Sequence, residues 1–284
     1  MSNAVNKLFF MAAIVAIGLG FTACGESKEE KEAKEMLALA TEYVAQGEYS
    51  RAMELLDTIP QLFPKQIKVR QAALDLRPSV IELATDQELE QCEQYINNVQ
   101  NEFGEAKLKM KRVDNPELVE GYWVPESFNT ATFMSTTGIQ PRVNDDGSFN
   151  IISEVNGAGD LHHNSITLKA QNGEAYTVGP VAFDNELNYR IGNSETVTFS
   201  GAKTDSLGLF ARNHYNEPMQ LTFNGEKGKK RTINLKAEEV NGIAHAYTMS
   251  EKQKEGKALM AKHMQLERKK AVAVDQQLRR NNTS

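Results

Sequence analysis

The side chains with the most reactive chemistry are two cysteines and five histidines. Cys24 follows Thr22 and Ala23, directly after an apolar run over residues 8–21. That run is too short to cross about 30 Å of hydrocarbon, so it predicts the core of a secretory signal peptide.

The order Phe21-Thr22-Ala23-Cys24 resembles the lipobox of bacterial lipoproteins. The resemblance implies a signal peptide over residues 1–23 and acyl chains on Cys24, which together would hold the chain at a membrane. Residues 24–32 are expected to form a charged leash, similar to the acidic signals of some Gram-negative surface lipoproteins. We expect the protein to be located in the cell envelope, on the periplasmic or surface face of the outer membrane. A secretory signal with an unrelated cysteine is the alternative.

The histidines do not have the spacing of a zinc site. Only His162 and His163 are adjacent, and neighbouring side chains of an extended segment point in opposite directions, which favours a surface turn. No phosphate-binding glycine loop, nucleophile elbow or pair of zinc histidines is present in the sequence. Cys92 lies on the apolar face of a predicted helix, where a buried inert thiol is expected. The chain is therefore predicted to be no enzyme, with no metal and no cofactor.

Tyr122 and the single tryptophan, Trp123, precede the predicted β region. Two adjacent aromatic residues at the entry of a domain have two interpretations. They could present a platform that binds a sugar ring, or they could pack the junction between a helical stalk and the β domain. We keep Trp123 and Tyr122 as the candidate ligand-binding residues.

Residues 33–64 resemble one tetratricopeptide repeat, a helix-turn-helix unit whose small residues let two helices approach closely. The matching positions are Leu39, Ala40, Tyr43, Gly47, Tyr49, Ala52, Leu56, Ile59 and Pro64. A following copy would place Arg77 and Asp86 at apolar positions, so no long array is predicted. A single unit must lean on other helices, and Pro78 is expected to begin one of them.

A heptad pattern predicts a long helix over residues 86–113, capped by Thr85 with Glu88 or running unbroken from Pro78. Its apolar positions are Leu89, Cys92, Ile96, Val99, Phe103, Ala106, Met110 and Val113. A second amphipathic helix is predicted within residues 249–284, with Met260, Met264, Ala271, Val274 and Leu278 on one side and Leu259 and Leu266 beside them. The two helices could form an antiparallel coiled-coil stalk within the chain. A homodimeric coiled coil and a helix lying on lipid are the alternatives.

Between these helices the apolar period changes to two, as in Ile166-Thr167-Leu168 and Leu221-Thr222-Phe223. Asn-Gly and Asp-Gly pairs recur between such segments and favour tight hairpin turns, among them Asn172-Gly173 and Asn241-Gly242. The predicted fold class is therefore α+β. A tetratricopeptide-like and coiled-coil helical region over residues 33–114 and a C-terminal helix over 249–284 flank an antiparallel sandwich or jelly-roll over 118–248.

The charge pattern limits the partners. The chain has a net charge of −6, although residues 249–284 carry nine Lys or Arg against four Asp or Glu. The acidic remainder would repel phosphates, so nucleic acid is excluded. We expect a non-catalytic envelope lipoprotein that interacts with envelope proteins or has a structural role. The alternative is a surface lipoprotein whose β domain binds glycans.

Overall fold

The structure is a computed structural model that describes residues 27–114 and 121–282. It is a mixed α+β protein that divides into two compact units. The helical unit contains the described residues up to Tyr95 and those from Leu259 onwards, and the sheet unit is Ile96–Ala258. The predicted signal peptide and Cys24 lie outside the described residues.

The helices and strands are named here in chain order. The helices are α1 Lys28–Ala45, α2 Tyr49–Leu62, α3 Ile67–Lys107, α4 Ala202–Asn213 and α5 Ala237–Asn281. The strands are β1 Met110–Val113, β2 Tyr122–Pro125, β3 Gly138–Asn144, β4 Phe149–Asn156, β5 Ser165–Lys169, β6 Ala175–Val178, β7 Tyr189–Ile191, β8 Ser194–Phe199, β9 Met219–Asn224 and β10 Lys230–Leu235. Helices α3 and α5 each contribute residues to both units.

In the helical unit, α1 and α2 pack through small and aliphatic side chains. Ser27 caps α1 by accepting the backbone N–H of Glu30 at 3.2 Å, so the chain is already helical at Lys28. Residues 28–32, which are part of the predicted charged leash, belong to this helix. Gly47 lies in the turn between α1 and α2 with a φ of 78°, a value that favours glycine. The fully buried side chains of this core are Ala33, Ala40, Ala52, Leu56, Ile59, Ala73 and Val80.

Helix α3 is continuous over 41 residues, so the predicted helix start at Pro78 and cap at Thr85 are both wrong. The hydroxyl of Thr85 instead donates to the carbonyl of Ile81, at 2.6 Å inside the helix. Pro78 has no N–H for the carbonyl of Leu74, four residues earlier. The guanidinium of Arg280 on α5 donates to that carbonyl, which compensates for the proline.

Within the helical unit, α5 runs antiparallel to α3. Cys92 lies opposite Leu259, with its thiol 3.6 Å from the carbonyl of that residue, and Asp86 forms an ion pair with Lys270 at 2.7 Å. The face of α5 turned towards α3 therefore coincides only in part with the predicted one. The half-buried or buried positions in this part of α5 are Leu259, His263, Leu266, Lys270, Ala273, Val274, Gln277 and Arg280, whereas Met260, Met264, Ala271 and Leu278 are exposed.

The sheet unit contains two antiparallel sheets, which confirms the prediction of antiparallel strands. The six-stranded sheet has the order β1-β2-β3-β4-β8-β7, and the four-stranded sheet has the order β10-β9-β5-β6. Ile151 and Phe199 of the first sheet share one core with Leu168 and Phe223 of the second. Side chains of α4 and α5 complete this core.

Three predictions in this region are wrong. Met110 and Val113 belong to strand β1 rather than to a helix, because Met110 enters the core of the sheet unit and β1 pairs with β2. Helix α4 was not expected among the strands. Helix α5 begins at Ala237, so Asn241-Gly242 lies inside a helix rather than in a hairpin turn, and a Cβ on Gly242 would lie 2.7 Å from Phe128.

Candidate functional site

Three polar side chains from distant parts of the chain meet on the inner face of the six-stranded sheet. Ser153 projects from β4 towards the core, between Ile151 and Val155 on the same face. His163, in the connection from β4 to β5, places its Nε2 2.7 Å from the Ser153 Oγ. Its Nδ1 lies 2.8 Å from Oε2 of Glu195 on β8.

The carboxylate of Glu195 also fixes the backbone of the β4–β5 connection. The backbone N–H groups of His162 and His163 donate to its two oxygens at 2.7 and 2.8 Å. His162 has a φ of 51°, in the left-handed region. The Nε of Arg190 lies 3.6 Å from Oε1. One carboxylate therefore holds a segment in a turned conformation against the sheet.

Burial and hydrogen bonding set the protonation of this cluster. Desolvation lowers the pKa of His163, although the hydrogen bond to Glu195 opposes it. Desolvation raises the pKa of Glu195, but hydrogen bonds from His163 and the backbone outweigh it and leave the pKa below its usual range. A neutral imidazole that donates from Nδ1 to a carboxylate can accept the Ser153 O–H at Nε2.

Serine, histidine and carboxylate in this order are the groups of a nucleophilic relay. A relay also needs a substrate carbonyl next to the serine oxygen. Ser153, His163 and Glu195 are 0 %, 2 % and 3 % exposed, and the ring of Phe223 contacts His163 at 5.6 Å between centroids. In this arrangement the cluster ties the β4–β5 connection to the sheet, and the serine is closed to substrate.

The predicted ligand-binding residues, Tyr122 and Trp123, are neighbours on β2, where successive side chains point to opposite sides of the sheet, and both rings are half-buried against the core of the sheet unit. The Nζ of Lys107 lies 4.8 Å from the Trp123 ring centroid, and the guanidinium of Arg112 lies at 5.6 Å. The ring of Tyr122 is stacked with the guanidinium of Arg142 at 4.3 Å. The chain's own cations thus already contact both rings.

The outer face of the six-stranded sheet carries a second group of polar residues. Gln140 and Arg142 alternate with the core residues Ile139 and Val143 on β3, so they point away from the core. The Arg142 Nε donates to the Gln140 side-chain oxygen at 2.7 Å. On the same face, Glu154 accepts the Thr196 hydroxyl at 2.5 Å and is 1 % exposed. Desolvation raises the pKa of Glu154.

Within residues 27–114 and 121–282, no three His, Cys, Asp or Glu side chains are arranged to hold a metal ion. No helix in the same ranges has the length and apolar character needed to cross a membrane. In comparisons with known proteins, no family model, no curated protein and no solved structure matches the chain.

Sequence reasoning missed the Ser153–His163–Glu195 cluster. The surface-turn prediction is wrong for His163, which is buried, whereas His162 is half-exposed. One signal was present: Ser153 stands between Ile151 and Val155 at inward positions of a strand, and a buried hydroxyl requires a partner. The sequence did not indicate which residue that partner would be.

Proposed function

We propose that the protein is a membrane-anchored lipoprotein of the cell envelope whose folded part is a non-catalytic protein-interaction or structural module. The anchor rests on the sequence around Cys24. The non-catalytic role rests on one observation, the burial of Ser153, His163 and Glu195, because these are the described groups closest to a catalytic arrangement.

Exposed apolar side chains on α5 support a protein-binding role. Met260, Met264 and Leu278 are 55 %, 56 % and 58 % exposed, and their spacing places them along one side of the helix. Scattered apolar residues are normal on a surface, but a row along one helix face is typical of a contact with a partner.

The finer architecture belongs to the same proposal. The α1–α2 pair would be a tetratricopeptide-like unit, supported by the buried Ala40 and Ala52 where the helices meet. Helices α3 and α5 would be a coiled-coil stalk, supported by the buried Leu89 and Leu266. The two sheets would form a sandwich, supported by their common core.

The anchor is tested with Cys24→Ala. We expect the parent chain to fractionate with membranes and to incorporate labelled palmitate, and the variant to do neither, because burial of acyl chains supplies the membrane affinity. Equal membrane association of the two chains would exclude a lipid anchor. Protease treatment of intact cells then distinguishes the surface from the periplasmic face.

Partner binding is tested with a photo-crosslinking residue at position 264, on the exposed apolar row. A matched control places it at Lys262, which is exposed on another side of α5. A discrete adduct in intact envelopes is expected from position 264 alone. The same adducts from both positions, or none from either, would contradict a specific partner on this row.

Glycan binding by the sheet unit is the second candidate function. It is favoured by Tyr122 and Arg142, which lie half-buried on the outer face of the six-stranded sheet. Under this alternative, Tyr122→Ala abolishes binding to a polysaccharide array. Trp123→Ala tests the other side of the strand, and loss with Trp123→Ala alone would move the site to that side.

A further inference from the structure

Arg142 differs from the other arginines that lie over aromatic rings. In the described parts of the chain, five arginines lie 4.3–5.8 Å from a ring centroid: Arg51, Arg112, Arg142, Arg190 and Arg212. Four of them have a carboxylate oxygen within 4.0 Å, from Glu48, Asp145, Glu195 and Glu251. No described carboxylate lies within that distance of Arg142.

Arg212 shows how this chain completes such a pair. Its guanidinium lies 4.8 Å from the Tyr247 ring centroid. Nη1 and Nη2 donate to the two oxygens of Glu251 at 2.5 and 3.4 Å, and the Tyr247 hydroxyl donates to the same carboxylate at 3.0 Å. The hydrogen bond to Glu251 raises the pKa of Arg212. The carboxylate thus occupies the end of the guanidinium and leaves Nε out of the pair.

Arg142 has the same components except the carboxylate. The guanidinium carbon of Arg142 lies 4.3 Å from the Tyr122 ring centroid, and its Nε donates to the Gln140 side-chain oxygen at 2.7 Å. Its Nη1 and Nη2 have no hydrogen-bond partner among the described residues. Burial lowers the pKa of this guanidinium. Removing a cation from water is costly unless an anion is paired with it. Nη1 and Nη2 of Arg142 therefore fit a planar carboxylate, which a guanidinium binds through two hydrogen bonds.

A second polar group lies on the same face of the sheet, on the adjacent strand. Asn150 on β4 pairs directly with Arg142, so the two side chains share one face of the sheet. The half-buried side-chain amide of Asn150 has no partner in residues 27–114 and 121–282 and can donate a hydrogen bond. A guanidinium and an amide donor thus lie on adjacent strands of the same sheet face.

We propose that Arg142 and Asn150 form a binding site for the carboxylate of a small acidic ligand. The carboxylate would accept hydrogen bonds from both Nη atoms of Arg142 and from the Asn150 amide, as the Glu251 carboxylate accepts them from Arg212. The site is separate from the proposed anchor and partner surface, so its failure would leave both of those proposals standing.

The experiment titrates the complete mature chain with galacturonate, acetate, galactose and inorganic phosphate while arginine Nε–Hε resonances are recorded. We expect saturable shifts of the Arg142 resonance with the two carboxylates and none with galactose. Arg142→Gln should weaken galacturonate binding by about tenfold or more, as loss of a charge-assisted pair predicts, and Asn150→Ala should weaken it less.

Arg212→Gln is the matched control, because Glu251 already fills the end of that guanidinium, and it should leave galacturonate affinity unchanged. Arg142→Lys keeps the charge without the fork, so it should bind more weakly than the parent chain while folding normally. Unchanged affinity in both Arg142 variants, or equal binding of galactose, would overturn the site. Tighter binding of phosphate than of both carboxylates would overturn its assignment to a carboxylate.

Discussion

The two faces of the six-stranded sheet each carry a buried charged residue, Glu195 and Arg142, and the two differ in whether an opposite charge or hydrogen-bond donors surround them. On the inner face, Glu195 receives hydrogen bonds from His163 and from two backbone N–H groups, and the cluster is almost fully buried. On the outer face, Arg142 is stacked and desolvated, and no carboxylate in residues 27–114 and 121–282 pairs with it. A buried polar group with internal partners serves the fold, whereas one without them is available to a ligand.

The largest expected effect is on the inner face. Glu195→Ala removes the acceptor of the His162 and His163 backbone N–H groups and of the His163 Nδ1–H. We expect the free energy of unfolding to fall by about 3–5 kcal/mol, measured by urea denaturation. Glu186→Ala, at an exposed glutamate of the same unit, is the control and should change it by less than about 0.5 kcal/mol. Equal effects would mean that the inner cluster does not support the fold.

Acid should weaken the same cluster. Because the folded-state pKa of His163 lies below the ordinary 6.5, the unfolded chain binds a proton that the folded chain does not. Between 6.5 and that lower pKa, stability falls with falling pH, by up to about 1.4 kcal/mol per pH unit. The lowered pKa of Glu195 extends the loss below 4.5.

His163→Gln should flatten the first part of this pH dependence, and urea denaturation from about pH 7.5 to about pH 4.5 measures it. His245→Gln is a useful control, since the pKa of His245 is also lowered by burial, outside the cluster. A slope that responds to His245→Gln alone would assign the acid sensitivity to that other site.

The smallest expected effect on stability comes from replacing the two stacked arginines, Arg212 and Arg142. Arg212→Met breaks the partly exposed pair with Glu251 and should lower stability by about 1 kcal/mol. Arg142→Met removes a desolvated charge that has no carboxylate partner among the described residues, but it also leaves the buried Gln140 oxygen without its donor, so stability should fall by less than about 1 kcal/mol. Thermal unfolding of both variants in ligand-free buffer checks the difference. A larger loss for Arg142→Met than for Arg212→Met would show that Arg142 supports the fold.

Several local features were readable from the sequence. Ile166 and Leu168 are fully buried on β5, as the period of two predicts. Gly147 and Gly173 have positive φ values in the turns after β3 and β5, because Asp-Gly and Asn-Gly pairs accept that conformation at little cost. Such features depend on residues close together in the chain.

The face of α5 that packs against α3 was not predictable from local patterns in the sequence. The apolar row containing Met260 and Met264 was predicted to pack, yet the face against α3 includes Lys270 and Gln277, which reach Asp86 and Glu82. Apolar periodicity cannot identify a contact face whose polar residues are matched by the partner helix. The facing residues lie far away in the chain, so the sequence does not pair them.

The sequence by itself determined the two structural classes and the turns at Gly147 and Gly173, and it contains the lipobox-like residues before Cys24, because each of these features depends on neighbouring residues. Only the tertiary structure decided that Ser153, His163 and Glu195 meet inside the core and that no described carboxylate pairs with Arg142. The physical reason is that burial and partnership depend on which distant strands become neighbours. The pairing of β4 with β3 and β8 sets both faces of the sheet at once.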